Sequence, residues 1–313
     1  MESGKAMSLR VFVRKLLGRK LTFKLRNTVA EIAFRLKVIP PATSINRENG
    51  ISATTCTMNE EDWIEPSLLS IKDLVDEYIV IDSSSDRTPE IIRRVAEEHG
   101  LNLKMEKVPP GDLAKAKNIA LKLSNYKWIL SWDADFVAKE TMPTYLKSLV
   151  DELDPNRYYL VYWPQICLDG DLFHQNPKMK LHIEHWLFTY SPRLRYQKIK
   201  YHEILLAPLT YYKTIYIKEP LSFHLRTVRN PVRLLYKYLW YKIRDEKLDE
   251  KMSLDEYVSM KIKELYGTSD INEAANIYFK EYIKTLHRYD KTVFGDYPRI
   301  LKEYVKRKYK IKL

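Results

Sequence analysis

The sequence predicts an α/β fold: a mostly parallel sheet flanked by helices, Rossmann-like, with a helical N-terminal arm and a helical C-terminal region. Three observations predict it. Short runs rich in apolar and β-branched residues recur between residues 51 and 132, namely ISATTCTM, YIVID, NLKMEKV and KWILSW. Amphipathic stretches with helix start and stop signals separate them. The resulting β-α-β-α-β-α-β order favours parallel strands joined by crossover helices.

The elements follow in order. ISATTCTM reads as the first strand, and Pro66 to Leu74 can form a helix. YIVID is a continuous apolar run closing on Asp82, as expected of a strand buried on both faces. In TPEIIRRVAEEHG, Thr88 can be the N-cap and Pro89 the first helical residue. Ile91, Ile92 and Val95 share one face there, and Gly100 can end the helix. Asp112 can cap the helix LAKAKNIALKLS. KWILSW then runs into Asp133 and Asp135. Ligands of such sheets bind at the carboxyl ends of the strands, where Asp82 and these two aspartates lie.

After residue 155 the order breaks down. YYLVYWPQICLDGDLFHQ resembles a hairpin turning at Asp169-Gly170, and its rings at Tyr158, Tyr159, Tyr162 and Trp163 suit a sheet core. Residues 228–313 read as helical and end in the basic tail YVKRKYKIKL. At the other end, Leu9, Phe12, Val13, Leu16 and Leu17 repeat at helical spacing. A second helix is predicted at Thr28, with Thr28 and Glu31 as a capping box and Val29, Ile32, Ala33 and Leu36 as the apolar face. Between residues 10 and 37 the only acidic residue is Glu31. This arm can pack on the main domain, or it can lie on anionic lipid. The expected divisions are an arm at 1–49, a central domain at 50–227 and a helical region at 228–313.

Composition narrows the classes. The chain has 313 residues, 45% of them hydrophobic, so a disordered protein is excluded. No apolar run approaches the roughly 18 residues of a membrane span, and no secretory leader is visible. The expected location is cytoplasmic, with room for peripheral contact at the cytosolic membrane face. A net charge of +12 favours polyanions, among them acidic lipid, phosphorylated substrates and nucleic acid. The only cysteines, Cys56 and Cys167, read as two buried reduced thiols, and no Cys/His spacing suits structural zinc.

Asp133 and Asp135 flank one alanine, so in an extended segment both carboxylates point the same way. They repel unless a cation lies between them. Mg²⁺ or Mn²⁺ suits such oxygen ligands and commonly completes its shell with substrate phosphates. A solvated loop is the alternative.

VIDSSSDRT, AKAKNIAL and SWDADF, in order and downstream of TTCTMNEED, resemble the nucleotide-binding half of family-two glycosyltransferases, which have the GT-A fold. The resemblance covers roughly residues 50–225. It implies a catalytic domain at 50–227, with a donor half at 50–140 and an acceptor half at 141–227. It implies a metal-dependent, inverting hexosyltransferase that moves sugar from a UDP- or GDP-sugar to a glycan or lipid-linked acceptor, with nucleic acid disfavoured as a partner.

Residue by residue, the resemblance implies that Asp82 contacts the nucleobase or its sugar and that Thr55 lines the base pocket. Asn59 and Glu60 match the Asn-Glu that follows the first strand. Asp133 would face the ribose or hold metal through water, and Asp135 would ligate Mn²⁺ or Mg²⁺ directly. Lys117 stands where the family usually has arginine, and keeps the charge without the bidentate fork. PRLRYQKIKYHEIL resembles the later pattern of arginines, here Arg193 and Arg195, before a His-Glu pair. Glu203 is then the candidate base, with His202 as runner-up base or substrate contact. His224 would be a third metal ligand or a diphosphate contact, although a structural histidine fits equally. Arg226 would steady the phosphates. Two other readings stay open. One is a polyprenyl-phosphate sugar synthase. The other is a non-catalytic anionic-lipid or nucleic-acid binding protein on a transferase scaffold.

Overall fold

In the computed structural model, residues 9–313 are described except 200, 201 and 209, and for residues 9–20 only the backbone is described. The chain runs α1 (Leu9–Arg35), β1 (Glu48–Thr57), α2 (Ile64–Ser70), β2 (Glu77–Asp82), α3 (Thr88–His99), β3 (Leu103–Lys107), α4 (Leu113–Leu123) and β4 (Tyr126–Ser131). There follow β5 (Phe136–Ala138), α5 (Met142–Glu152), β6 (Tyr158–Cys167), β7 (His174–Gln175), β8 (Leu181–Thr189), β9 (Arg195–Ile199), β10 (His202–Leu206), β11 (Tyr212–Tyr216) and β12 (Ser222–His224). The C-terminal part is α6 (Pro231–Asp245), α7 (Leu254–Tyr266), α8 (Ile271–Lys284), β13 (His287–Arg288), α9 (Lys291–Phe294) and α10 (Arg299–Tyr309). Two compact units result. The first takes residues up to 134 with 140–164 and 183–221, and the second takes 135–139, 165–182 and 222–313.

The first unit is the expected α/β arrangement. Strands β3, β2, β1 and β4 lie side by side, all parallel. Antiparallel β8 continues the sheet beyond β4, β6 lies beside β8, and β11 pairs with β6 in parallel. Every residue of β2 is buried, as YIVID predicts. Its side chains alternate between two helical layers. Ile79 and Ile81 pack with Ala116 and Ala120 of α4, while the Tyr78 hydroxyl donates to Leu68 O of α2. Tyr158, Tyr162, Phe188 and Tyr212 form a second core cluster, so these rings are sheet core. Gly100 ends α3 at φ +62°, and Asp112 caps α4 by accepting from Lys115 N. Thr88 is one position further in than predicted, at the first helical position, with Arg87 at the cap.

Two local predictions fail. One continuous helix, α1, replaces the predicted pair. Thr28 Oγ1 donates to Lys24 O as a mid-helix residue does. Glu31 binds Arg157 at 2.7 Å, Arg35 at 2.8 Å and Lys213 at 3.3 Å. Three cations outcompete the single backbone N–H of a capping box. The buried face also differs: Ala30 and Ala33 are buried with Phe23 and Phe34 packed on the core, whereas Ile32 and Leu36 are exposed. The second failure is the hairpin at Asp169-Gly170. β6 neighbours β8, and β7 pairs with β13 instead. Asp169 is buried and accepts from Thr227 Oγ1, which fixes the segment as a loop.

In the second unit, β12 lies between the end of β6, parallel to it, and β5, antiparallel to it. A helical cluster has Leu235, Leu239, Tyr257, Val258, Ile262 and Ala274 at its core, from α6, α7 and α8. No described helix is long and apolar enough to cross a membrane.

Candidate active site

Within the first unit, the carboxyl ends of β1 and β2 are joined at a residue pair. The register sets Thr57 opposite Asp82, and Thr57 Oγ1 donates to Asp82 Oδ1 at 2.7 Å. Ser84 N donates to the same oxygen at 3.2 Å. Asp82 Oδ2 is buried with no protein partner, and so is Thr55 Oγ1 on the same face of the sheet. A buried acceptor without a partner costs about 1–3 kcal/mol, which a ligand N–H can relieve. A cleft of about 550 Å³ lies at the ends of these strands, lined among others by Asn59, Ser83, Ser84, Ser85, Lys107 and Val108.

Asn59 shapes that cleft. It sits at φ +59°, a conformation asparagine tolerates better than most residues. Its Oδ1 accepts from Ser85 N at 2.8 Å and from Asp86 N at 3.2 Å. Glu60 N donates to Thr88 Oγ1, and Glu60 O receives the first N–H bonds of α2, from Trp63 and Ile64. These contacts tie the loop after β1 to the start of α3.

A partly buried ion cluster lies at the end of β4. Lys117 Nζ, from α4, is 2.8 Å from Glu203 Oε1 on β10 and 3.5 Å from Asp133 Oδ1. It also stands 5.4 Å from the centre of the Tyr196 ring. Burial opposes the lysine charge, but Asp133, Tyr196 and Glu203 outweigh it and hold the ammonium well above its usual pKa. Burial pushes the Cys56 thiol and the Tyr196 hydroxyl up to about 12, so neither is a nucleophile near neutrality.

Glu203 is carried on a two-stranded ribbon, β9 with β10, in which Glu203 pairs with Lys198 and Leu205 with Tyr196. Asn118 of α4 fastens the ribbon. Its Nδ2 donates to Tyr196 O and its Oδ1 accepts from Tyr196 N, both at 2.8 Å. Strand alternation turns His202 away from the side on which Glu203 meets Lys117, and His202 is exposed. Arg193 lies elsewhere, with its guanidinium 5.3 Å from the centre of the Tyr211 ring, and Arg195 is exposed.

The second unit holds Asp135 and His224. The β5–β12 register sets His224 opposite Phe136, and Leu225 N donates to Asp135 O. His224 Nε2 is 3.6 Å from Asp135 Oδ1, and Arg229 donates to Asp135 Oδ2 at 3.1 Å. Burial opposes both charges. The neighbouring Asp135 nevertheless raises His224 to about 10, and His224 with Arg229 holds Asp135 well below the usual carboxylate range. Arg226 faces other partners: Met179 Sδ at 2.9 Å and Asp169 at 4.0 Å. Arg229 was not singled out in the sequence, where it is one more basic residue in a basic chain. Among the described residues no three His, Cys, Asp or Glu side chains gather as a metal cage. Asp135 offers one oxygen donor, and His224 offers a nitrogen donor once a bound cation displaces its proton. That pair fits Mn²⁺ or Mg²⁺ only if the ion takes the rest of its shell from phosphate and water.

The family model described as Glycosyl transferase family 2 matches residues 52–215. Similar solved structures include TarS of S. aureus, at 14% identity and TM-score 0.42, covering 66% of this chain and 41% of that one. This chain therefore spans well under half the length of that protein. Another is TarS 1-349 of S. aureus in complex with UDP-GlcNAc, at 15% identity and TM-score 0.39, covering 82% and 80%. A third is the mannosyltransferase PcManGT from Pyrobaculum calidifontis in complex with GDP-Man and Mn²⁺, at 14% identity and TM-score 0.41, covering 84% and 90%. Comparison with curated proteins finds no match. Because the family model spans more than half of its residues, the chain belongs to glycosyl transferase family 2.

Proposed function

We propose that the chain is a metal-dependent, inverting glycosyltransferase that takes a UDP- or GDP-sugar and delivers the sugar to a hydroxyl of a glycan or lipid-linked acceptor. The observation that carries this reading is the Lys117 cluster, which presents a carboxylate, Glu203, near Asp133 at the end of β4.

In this reading Asp82 Oδ2 accepts an N–H of the nucleobase, and Thr55 lies on the same face. Asn59 and the Ser84–Ser85 turn form the wall of the cleft. Asp135 and His224 would hold Mn²⁺ or Mg²⁺, and the ion would supply positive charge for the diphosphate of the leaving group. Glu203 takes the proton from the acceptor hydroxyl. The freed oxygen bonds to the anomeric carbon on the face opposite the diphosphate, the carbon–oxygen bond to the diphosphate breaks, and configuration inverts. Lys117 orients Glu203 and keeps it apart from Asp133 as a charge partner to both.

The test is thermal stability with UDP-, GDP- and dTDP-sugars, with and without Mn²⁺, on wild type and Asp135→Ala. A ligand at about 100 times its Kd adds ~2.7 kcal/mol. The expected result is a manganese-dependent rise for one nucleotide, lost in the variant, with release of the matching nucleoside diphosphate in the presence of acceptor. A folded protein that no nucleotide sugar stabilises would overturn the reading.

A further inference from the structure

Over its described side chains, from Leu21 onward, helix α1 carries two apolar stripes, and only one of them packs into the fold. Phe23, Ala30, Ala33 and Phe34 pack into the first unit, and Arg26 and Asn27 fix this face to β11 and the segment before it through the carbonyls of Ala207, Tyr212 and Thr214. Leu21, Leu25, Ile32 and Leu36 are 49%, 50%, 52% and 69% exposed. At 3.6 residues per turn Leu21, Leu25 and Ile32 fall within an arc of about 40°, on the side of the helix away from Phe23 and Ala30, and Leu36 directly follows the last helical residue. Val38, just past the helix end, is also exposed.

The charge around this stripe has one sign. Residues 10–37 contain nine Lys or Arg and a single acid, Glu31. Glu31 is bound by Arg157, Arg35 and Lys213, so its charge is cancelled locally. Exposed Lys24 and Arg35 border the uncovered apolar residues on the helix, and exposed Lys37 follows Leu36 in the chain. We propose that this face of α1 is a docking surface for an anionic lipid bilayer, with the helix lying in the headgroup plane and Leu21, Leu25, Ile32 and Leu36 entering the acyl boundary.

Length and chemistry favour that occupant. Twenty-seven residues make a rod of ~40 Å, which suits contact along a surface. Aliphatic side chains bordered by lysine and arginine match the apolar boundary and the anionic headgroups together. A second copy of this chain would bring two strongly basic helices together, which like-charge repulsion opposes. Nucleic acid would use the cations but leave the aliphatic stripe in water.

The full chain is tested by co-sedimentation with vesicles of phosphatidylcholine alone and of phosphatidylcholine mixed with phosphatidylglycerol. Binding needs no donor, metal or acceptor, so its outcome is independent of whether the chain transfers sugar. Expected is binding to the anionic vesicles only, reduced by salt. Leu25→Glu with Ile32→Glu should weaken it at least about tenfold, because two side chains that enter the boundary become charged. Lys24→Glu or Lys37→Glu should each weaken it about fivefold or more. All four positions are exposed, and unchanged circular dichroism and melting confirm that the variants fold. Equal binding by wild type and the double glutamate variant would overturn the proposal. So would an absence of vesicle binding together with a solution dimer that the double variant dissociates.

Discussion

Lys117 Nζ lies 2.8 Å from Glu203 Oε1 and 3.5 Å from Asp133 Oδ1, so one largely buried ammonium separates two carboxylates. Removing it leaves like charges facing each other. Breaking a buried pair costs about 3–5 kcal/mol, and the 40% exposure of Asp133 places Lys117→Met nearer ~2 kcal/mol. Urea denaturation of wild type and variant measures this, and an unchanged midpoint would show that the cluster contributes nothing to stability.

Glu203→Gln keeps an oxygen that can accept from Lys117 but removes the carboxylate proposed as the base. The expected effect is a loss of about 10²–10⁴ in kcat with little change in donor affinity. His202→Ala, on the other side of the ribbon, should lose less than about tenfold by the same measure. Steady-state assays of both variants decide which residue is the base, and an active Glu203→Gln would exclude it.

Asp82→Asn retains an acceptor for Thr57 and Ser84 N yet replaces the partnerless oxygen with an amide donor. A charge-assisted bond to a nucleobase N–H contributes about 1.5–3 kcal/mol. Donor binding should therefore weaken by roughly 10- to 100-fold, read by calorimetry. An unchanged Kd would remove Asp82 from the base site.

Glu31 answers to pH. Hydrogen bonds from Arg157 and then Arg35, with a further one from Lys213, hold its pKa at about 2 against an ordinary value of 4.5. A depressed carboxylate contributes stability above its unfolded pKa and loses it as pH falls through the folded value. The contribution is therefore full above about 4.5 and gone near 2. Melting temperatures across that window should fall less steeply for Glu31→Gln than for wild type. Parallel curves would mean that the cluster does not anchor α1.

Local chemistry made much of the fold legible. Asp112 caps α4 and Gly100 ends α3 because each needs only its own neighbours along the chain. YIVID is buried on both faces because every residue but its last is apolar. Long-range partners were not legible. Thr28 and Glu31 have the spacing of a capping box, but Arg157, far along the chain, claims the carboxylate. Asp169-Gly170 has hairpin chemistry, yet Thr227 and the pairing of β7 with β13 decide the segment. In the site, Asp82 and Asp133 were visible as strand-end carboxylates. The contacts of Lys117 with Glu203 and of Arg229 with Asp135 depend on residues brought together only by folding.

Asn118 grips the β9–β10 ribbon by the peptide N–H and carbonyl of Tyr196 alone. Such a grip is indifferent to which side chains the strand displays. The exposed positions of β9 and β10 can thus be varied while this anchor persists. A library confined to those exposed residues would vary the surroundings of Glu203 while the Asn118 anchor is kept.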